Sequence, residues 1–174
     1  MRFKVQIFDE VAISRALARI SYEIVERSAD ISNVVLAGIK TRGVPIAEII
    51  RENILKNTGV NVPLYALDIT SFRDDMASPL KEQNGLNIDI AGKEVVIVDD
   101  VLFTGRTARA AIDALFSAGR PDKIRLAVLI DRGHREMPIR PDYVGKNVPT
   151  SSAEIIKVNL TETDGKSNIE LYDR

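Results

Sequence analysis

The chain has 174 residues, of which 45% are hydrophobic and 28% charged, with a net charge of −1; these values describe a globular chain and exclude both a disordered one and a globally basic nucleic-acid binder, though not a local basic patch. It has no cysteine and a single histidine, His134, which excludes disulfides, thiolate metal sites and multi-histidine zinc sites. One domain over residues 1–174 is expected, and the opening MRFKVQIFDE lacks a signal-peptide core while no apolar run is long enough to span a bilayer, which predicts a cytoplasmic protein.

Phe3 to Phe8 alternates and predicts a short strand. Asp9 is a plausible N-cap for a helix running to about Ser28. Ile13, Leu17, Ile20 and Ile24 make its apolar face. Arg15, Arg19 and Tyr22 fall almost opposite, a stripe that taken alone reads as solvated helix surface. Val34 to Ala37 is the next buried strand, followed by Gly38-Ile39-Lys40-Thr41-Arg42-Gly43. A helix starts near Pro45, turns Ile46, Ile50 and Ile54 inward and ends near Gly59. The loop before it has glycines, a hydroxyl and two cations, so its backbone amides can wrap an anion.

Val62 to Ile69 predicts a strand, with Pro63 near its start. Residues 70 to 86 lack periodicity and read as a long functional loop, with Asn87 to Ile90 returning as a strand before a Gly92-Lys93 turn. Val95 to Val98 is an unbroken β-branched run that suits a central strand buried on both faces. Asp99 and Asp100 follow where that strand should emerge. After Val101 and Leu102 come Thr104, Gly105, Arg106 and Thr107, then a helix with Ala108, Ile112 and Leu115 at helical spacing, closed by Gly119 and Pro121. Ile124 to Ile130 is another strand, ending at Asp131-Arg132-Gly133-His134, where an open α/β sheet builds part of its site. His134 suits a general base or a structural role equally. Glu154 to Leu160 and Asn168 to Tyr172 alternate around an Asp164-Gly165 turn, which predicts a terminal hairpin.

The chemistry lies in the order strand, acid pair, Thr-Gly loop, helix. A helix N-terminus offers unpaired N–H groups and a partial positive charge to a phosphate. Gly105 lets the backbone approach, and the Thr104 and Thr107 hydroxyls can donate to phosphate oxygens. Asp99 and Asp100 suit sugar hydroxyls, or Mg²⁺ through water. Together these features describe a site for a ribose 5-phosphate. No Walker A loop and no G-x-G-x-x-G fingerprint are present.

VVIVDDVLFTGRT resembles the phosphoribosyl-diphosphate (PRPP) signature of type I phosphoribosyltransferases, and GIKTRG resembles their diphosphate loop. The resemblance implies an α/β fold with a mostly parallel central sheet flanked by helices, a flexible hood arm and a C-terminal β-hairpin. It implies Asp99, Asp100 and Arg73 as catalytic residues, Arg73 reaching the diphosphate from the arm. It further implies substrate contacts from Lys40, Thr41, Arg42 and Gly43, from Val101, Leu102, Phe103, Thr104, Gly105, Arg106 and Thr107, and from Asp131, Arg132 and Val158. Mg²⁺ is the implied cofactor, held mainly by PRPP, with Asp99 or Asp100 reaching it through water and no direct protein ligand.

IKTRGVPIA, DITSFRDD, VDDVLFTGRTARAAIDAL and LIDRGHREMPIRPDYVGKNVPTS together are similar to the PyrR family of pyrimidine operon regulators with uracil phosphoribosyltransferase activity. The segment RGHRE…PIRPDYVGKN is the most diagnostic. What this implies is a double role: uracil and PRPP converted to UMP and diphosphate, and uridine-nucleotide-dependent binding of pyrimidine-operon leader mRNA that promotes transcription attenuation. Arg15, Arg19, Arg27, Arg135, Arg140 and Lys146 are the implied RNA contacts, in a homo-oligomer based on a dimer. Some relatives carry Thr and His where this chain has Ala18 and Tyr22. A purine phosphoribosyltransferase without RNA binding is the alternative, with the same PRPP loops and another base pocket.

Overall fold

The computed structural model describes residues 1–74 and 87–174. Five parallel strands form the central sheet: β2 (Val34–Ile39), β3 (Leu64–Leu67), β4 (Glu94–Leu102), β5 (Lys123–Asp131) and β6 (Tyr143–Asn147), in the order β3-β2-β4-β5-β6. Every residue of β2 is buried, as the apolar run VVLAGI requires of a strand covered on both faces. Side chains alternate between those faces. Val34, Leu36, Val96 and Val98 pack with α1 (Glu10–Arg27) and α2 (Gly43–Thr58) through Ile13, Leu17, Ile20, Ile46 and Ile50. Val35, Ala37, Val95 and Ile97 pack with α3 (Arg106–Ala118) through Ala108, Ala111 and Leu115. Each fully buried Leu or Ile contributes about 1.5–3 kcal/mol. Asp9 caps α1 as expected, its carboxylate accepting from the Ala12 amide at 2.8 Å.

A second, antiparallel sheet has the order β1-β8-β7, from β1 (Arg2–Phe8), β7 (Glu154–Asn159) and β8 (Asn168–Asp173). The terminal hairpin was legible, but its third strand was not, because the pairing joins opposite ends of the chain. Between β7 and β8 the chain makes the short helix α4 (Thr161–Asp164) rather than a two-residue turn, since Asn159 pairs with Asn168 and leaves 160–167 to connect them.

Three further elements depart from expectation. β4 does not end at Val98: Val101 and Leu102 still pair with Ile130 and Asp131, so the acid pair lies within the strand. β3 is shorter than 62–69, and residues 87–90 form no strand; Ile90 is instead buried in the core beside α3. β6 was missed, because Pro138, Pro141 and the polar ends of YVGKN mask its pattern. Of the arm expected over 70–86, Thr70–Phe72 forms a 3-10 turn, while residues 75–86 lie outside the described residues.

Candidate active site

The C-terminal ends of β2, β3 and β4 open into a cleft of about 490 Å³, lined by Lys40, Thr41, Arg42, Asp68, Thr70, Arg73, Asp99, Asp100 and Thr107. A second cavity of about 350 Å³ shares Arg73, Asp99, Val101 and Thr107 with it and adds Leu102, Phe103, Thr104, Gly105, Arg106 and Glu136. The sheet therefore brings the expected acid pair, phosphate loop, diphosphate loop and Arg73 to one place, at the strand ends where open α/β sheets bind ligands.

The loop expected to hold the diphosphate leaves β2 at Lys40, whose amide donates to the Leu67 carbonyl at 3.1 Å. Gly43 begins α2 rather than lying free in the loop. A Cβ there would stand 2.3 Å from the Val98 carbonyl oxygen, so only glycine lets α2 start this close to β4. Lys40 reaches toward Asp68 at 3.8 Å. Asp68 accepts from the Thr70 hydroxyl at 2.7 Å and the Thr70 amide at 3.1 Å, and these bonds hold it below the usual carboxylate range.

Asp99 accepts from the Asp100 amide at 2.9 Å, and Asp100 from the Val101 amide at 2.8 Å. Desolvation, and then the adjacent Asp100 carboxylate, push Asp99 well above the usual range, while the charge of Arg73 acts against them. Arg73 lines both cavities beside the pair. Beyond it, Gly105 takes φ +92° just before α3, and α3 begins without a side-chain cap. Its first N–H groups stand at the mouth of the loop, where an anion is the natural partner.

That loop is braced from outside. The Glu136 and Met137 amides donate to the Thr104 carbonyl at 2.8 and 3.0 Å. Arg106, at the edge of the second cavity, forms ion pairs with Glu136 at 2.7 Å and Asp74 at 2.8 Å. Asp131 and Arg132 serve as further braces. Asp131 pairs with Arg135 at 2.6 Å, and Arg135 also donates to the Phe103 carbonyl at 2.9 Å. Arg132 is buried, donates to the Thr150 hydroxyl at 3.0 Å and the Glu154 carbonyl at 2.9 Å, and lies 4.1 Å over the Phe103 ring. Burial lowers its pKa. Val158 is also buried, its carbonyl accepting from Arg42 Nε at 2.9 Å.

The expected RNA contacts divide. Arg15 and Arg19 line one surface depression with Phe8, and Lys146 sits 5.5 Å over the Phe8 ring. Arg19 donates to the Val144 and Gly145 carbonyls at 3.1 and 2.6 Å, so α1 and β6 present one basic face. Arg27 bonds the Asp142 carbonyl at 2.8 Å and stacks 5.0 Å over Tyr143. Tyr22 is exposed on α1. Arg135 is not brought to that face, being folded against Phe103, and Arg140 borders an apolar groove with Ile112 and Phe116 of α3. His134 does not line the cleft; its ring bonds the Thr150 carbonyl.

Sequence reasoning missed Asp68, Thr70 and Glu136. Asp68 follows the end of β3 as Lys40 follows that of β2, and that position was the signal available. Nothing in the local sequence around Glu136 points to the cleft.

A parallel sheet with this cleft defines the class, a type I phosphoribosyltransferase. Residues 5–163 match the phosphoribosyl transferase domain family. Among solved structures, the chain is similar to the hypoxanthine phosphoribosyltransferase of Trypanosoma cruzi, with a TM-score of 0.72 at 19% identity over 98% of this chain and 97% of that one. It is also similar to a hypoxanthine-guanine phosphoribosyltransferase from Bacillus anthracis, with a TM-score of 0.70 at 18% identity over 98% of each chain. At such identities these show the fold alone. Curated relatives over nearly the whole length are each named Bifunctional protein PyrR: 52% identical over 99% of both chains in Clostridium perfringens, 53% over 100% of both in Thermoanaerobacter pseudethanolicus, and 54% over 98% of both in Streptococcus uberis. The chain belongs to the PyrR family of phosphoribosyltransferases.

Proposed function

We propose that the protein transfers the phosphoribosyl group of PRPP to uracil, giving UMP and diphosphate, and binds pyrimidine-operon leader mRNA when a uridine nucleotide fills the cleft. The observation that carries the first half is one cleft holding an acid pair, an uncapped helix N-terminus and a cationic loop in a chain more than half identical to PyrR proteins over its full length. The 5-phosphate sits at Thr104–Thr107, the ribose hydroxyls at Asp99 and Asp100, and the diphosphate at the loop beginning with Lys40. Arg73 closes on the diphosphate from the opposite side. Bond breaking at C1 develops positive charge on the ribose ring and negative charge on the diphosphate. Catalysis therefore rests on orientation and on charges already in place, not on a protein base.

Mg²⁺ fits the donor set. Asp99 and Asp100 offer hard oxygens side by side in the cleft. Bound with PRPP, Mg²⁺ would be held mainly by the diphosphate, with Asp99 or Asp100 reaching it through water, and would supply positive charge against the leaving group.

The second half rests on family likeness and on the basic face of Arg15, Arg19 and Lys146. The protein acts here as a homo-oligomer based on a dimer, which extends that face. Assays with PRPP, Mg²⁺ and each of uracil, hypoxanthine, guanine and orotate test the enzymatic half. UMP from uracil is the expected main product; turnover of hypoxanthine or guanine with none of uracil overturns the assignment.

A further inference from the structure

Arg42 is expected to contact the diphosphate, yet its side chain is bonded elsewhere. Nε donates to the Val158 carbonyl of β7 at 2.9 Å, and the outer nitrogen Nη2 donates to the Asp164 carboxylate of α4 at 3.0 Å. The guanidinium thus spans from the loop after β2 to the hairpin wall, across more than a hundred residues of chain. Asp164 is fixed from its own side as well, accepting from the Leu160 amide at 3.0 Å and the Thr163 hydroxyl at 2.7 Å. These bonds hold the Asp164 carboxyl down to about 2, so it stays ionised at any working pH. The pair is partly shielded, with 36% of the Arg42 side chain and 20% of the Asp164 side chain exposed.

Val158 is where the hairpin meets the catalytic strand: it is buried in the same core cluster as Val96 and Val98, and β7 approaches β4. One residue therefore joins the loop after β2 to the hairpin, whose Val158 the uracil-transfer reading counts among the substrate contacts and so makes the wall beside the base. A planar fork with donors at fixed angles does this well; a lysine has a single ammonium and cannot reproduce both bonds.

We infer that Arg42 is a positioning residue that transmits the state of the diphosphate loop to the base-binding wall through Val158 and Asp164. The inference rests on the uracil-transfer reading and goes beyond it, because it makes base affinity depend on a residue of the diphosphate loop. Filling the loop with PRPP then prepares the wall for uracil, and by linkage uracil favours PRPP to the same degree.

Steady-state kinetics separate this role from direct diphosphate binding. Arg42→Ala is expected to raise KM for uracil about tenfold, as loss of a charge-assisted hydrogen bond implies, and to raise KM for PRPP by less than a factor of about two. Asp164→Asn moves the same constant in the same direction. The double variant is no worse than Arg42→Ala alone, because both changes break one link. Arg42→Lys, which keeps the charge near Asp164, falls between wild type and Arg42→Ala and serves if the alanine variant fails to fold. A rise in KM for PRPP equal to or larger than that for uracil, no change in either constant, or additive effects in the double variant overturns the inference. Absence of wild-type turnover with uracil would instead overturn the function on which it rests.

Discussion

Arg106 and Asp74 are joined by a 2.8 Å ion pair that ties the first turn of α3 to the residue beside Arg73. Arg109 adds a bond to the Phe72 carbonyl at 3.3 Å. Both Arg106 and Asp74 are 42% exposed, so the pair adds at most about 1 kcal/mol to stability. Its effect falls on where Arg73 stands. Asp74→Ala is expected to leave the melting temperature within about 2–4 °C of wild type while lowering turnover about tenfold through misplacement. Arg73→Ala lowers turnover further. Thermal melts with steady-state assays check this, and wild-type turnover in both variants would show that residues 70–74 do not serve the reaction.

Burial makes a charge on Asp99 unfavourable. Asp99 is raised above its ordinary value, so the folded chain takes up its proton at higher pH than the unfolded chain does. The cost of holding the charge is absent in the acid range and appears as pH rises through the folded-state value. Asp99→Asn removes it. Melts without PRPP or Mg²⁺ are expected to show the variant more stable than wild type near about pH 8, with the gap closing near about pH 4. A variant less stable than wild type at the higher pH would contradict the desolvated placement of Asp99.

Much of this was legible beforehand, for reasons that differ by element. β2 and the first half of β4 are short β-branched runs that fit only a buried strand, and Ile13, Leu17, Ile20 and Ile24 fix the face of α1. The turn from Thr104 into α3 was readable because glycine, hydroxyls and helix start are consecutive in the chain. What joins distant segments was not readable. The pairing of β1 with β8, the bond from Arg42 to Val158 and the bracing of Thr104 by 136–137 leave no local pattern. Gly43 looked like anion-loop glycine, but its necessity comes from the Val98 carbonyl on another strand.

Two glycines therefore give different mutational signatures. Gly43→Ala sets a Cβ against rigid backbone and is expected to prevent stable folding, costing more than about 3 kcal/mol. Gly105→Ala meets the Met137 side chain at 3.0 Å with φ at +92°, and is expected to cost about 1–3 kcal/mol while weakening PRPP binding. Urea melts and PRPP titration read both; a Gly43→Ala protein as stable as wild type would contradict the close approach of α2 to β4.

The basic face of α1 and β6 makes the RNA reading testable by salt. Arg15→Ala/Arg19→Ala and Arg140→Ala/Lys146→Ala are each expected to weaken leader-RNA binding. Each lost phosphate contact lowers the salt slope by about 0.7–0.9. Catalysis survives both pairs, and UMP tightens binding by the parent protein. Lys146 is expected to dominate the second pair, since it shares the Phe8 face while Arg140 borders the groove beside α3. Affinities across a salt series, with and without UMP, decide it; wild-type slopes in both variants would leave that face without a role in RNA binding.

The central claim is that uracil transfer takes place where β4 presents Asp99 and Asp100 to the Thr104–Thr107 loop. Its most direct test is UMP formation from uracil and PRPP by wild type and by Asp99→Asn/Asp100→Asn, with circular dichroism and a cooperative melt confirming that the variant is folded. Losing two transition-state electrostatic contacts, each worth about 3 kcal/mol, predicts a fall of about ten-thousandfold. Near-wild-type UMP formation by the folded double variant would contradict the account.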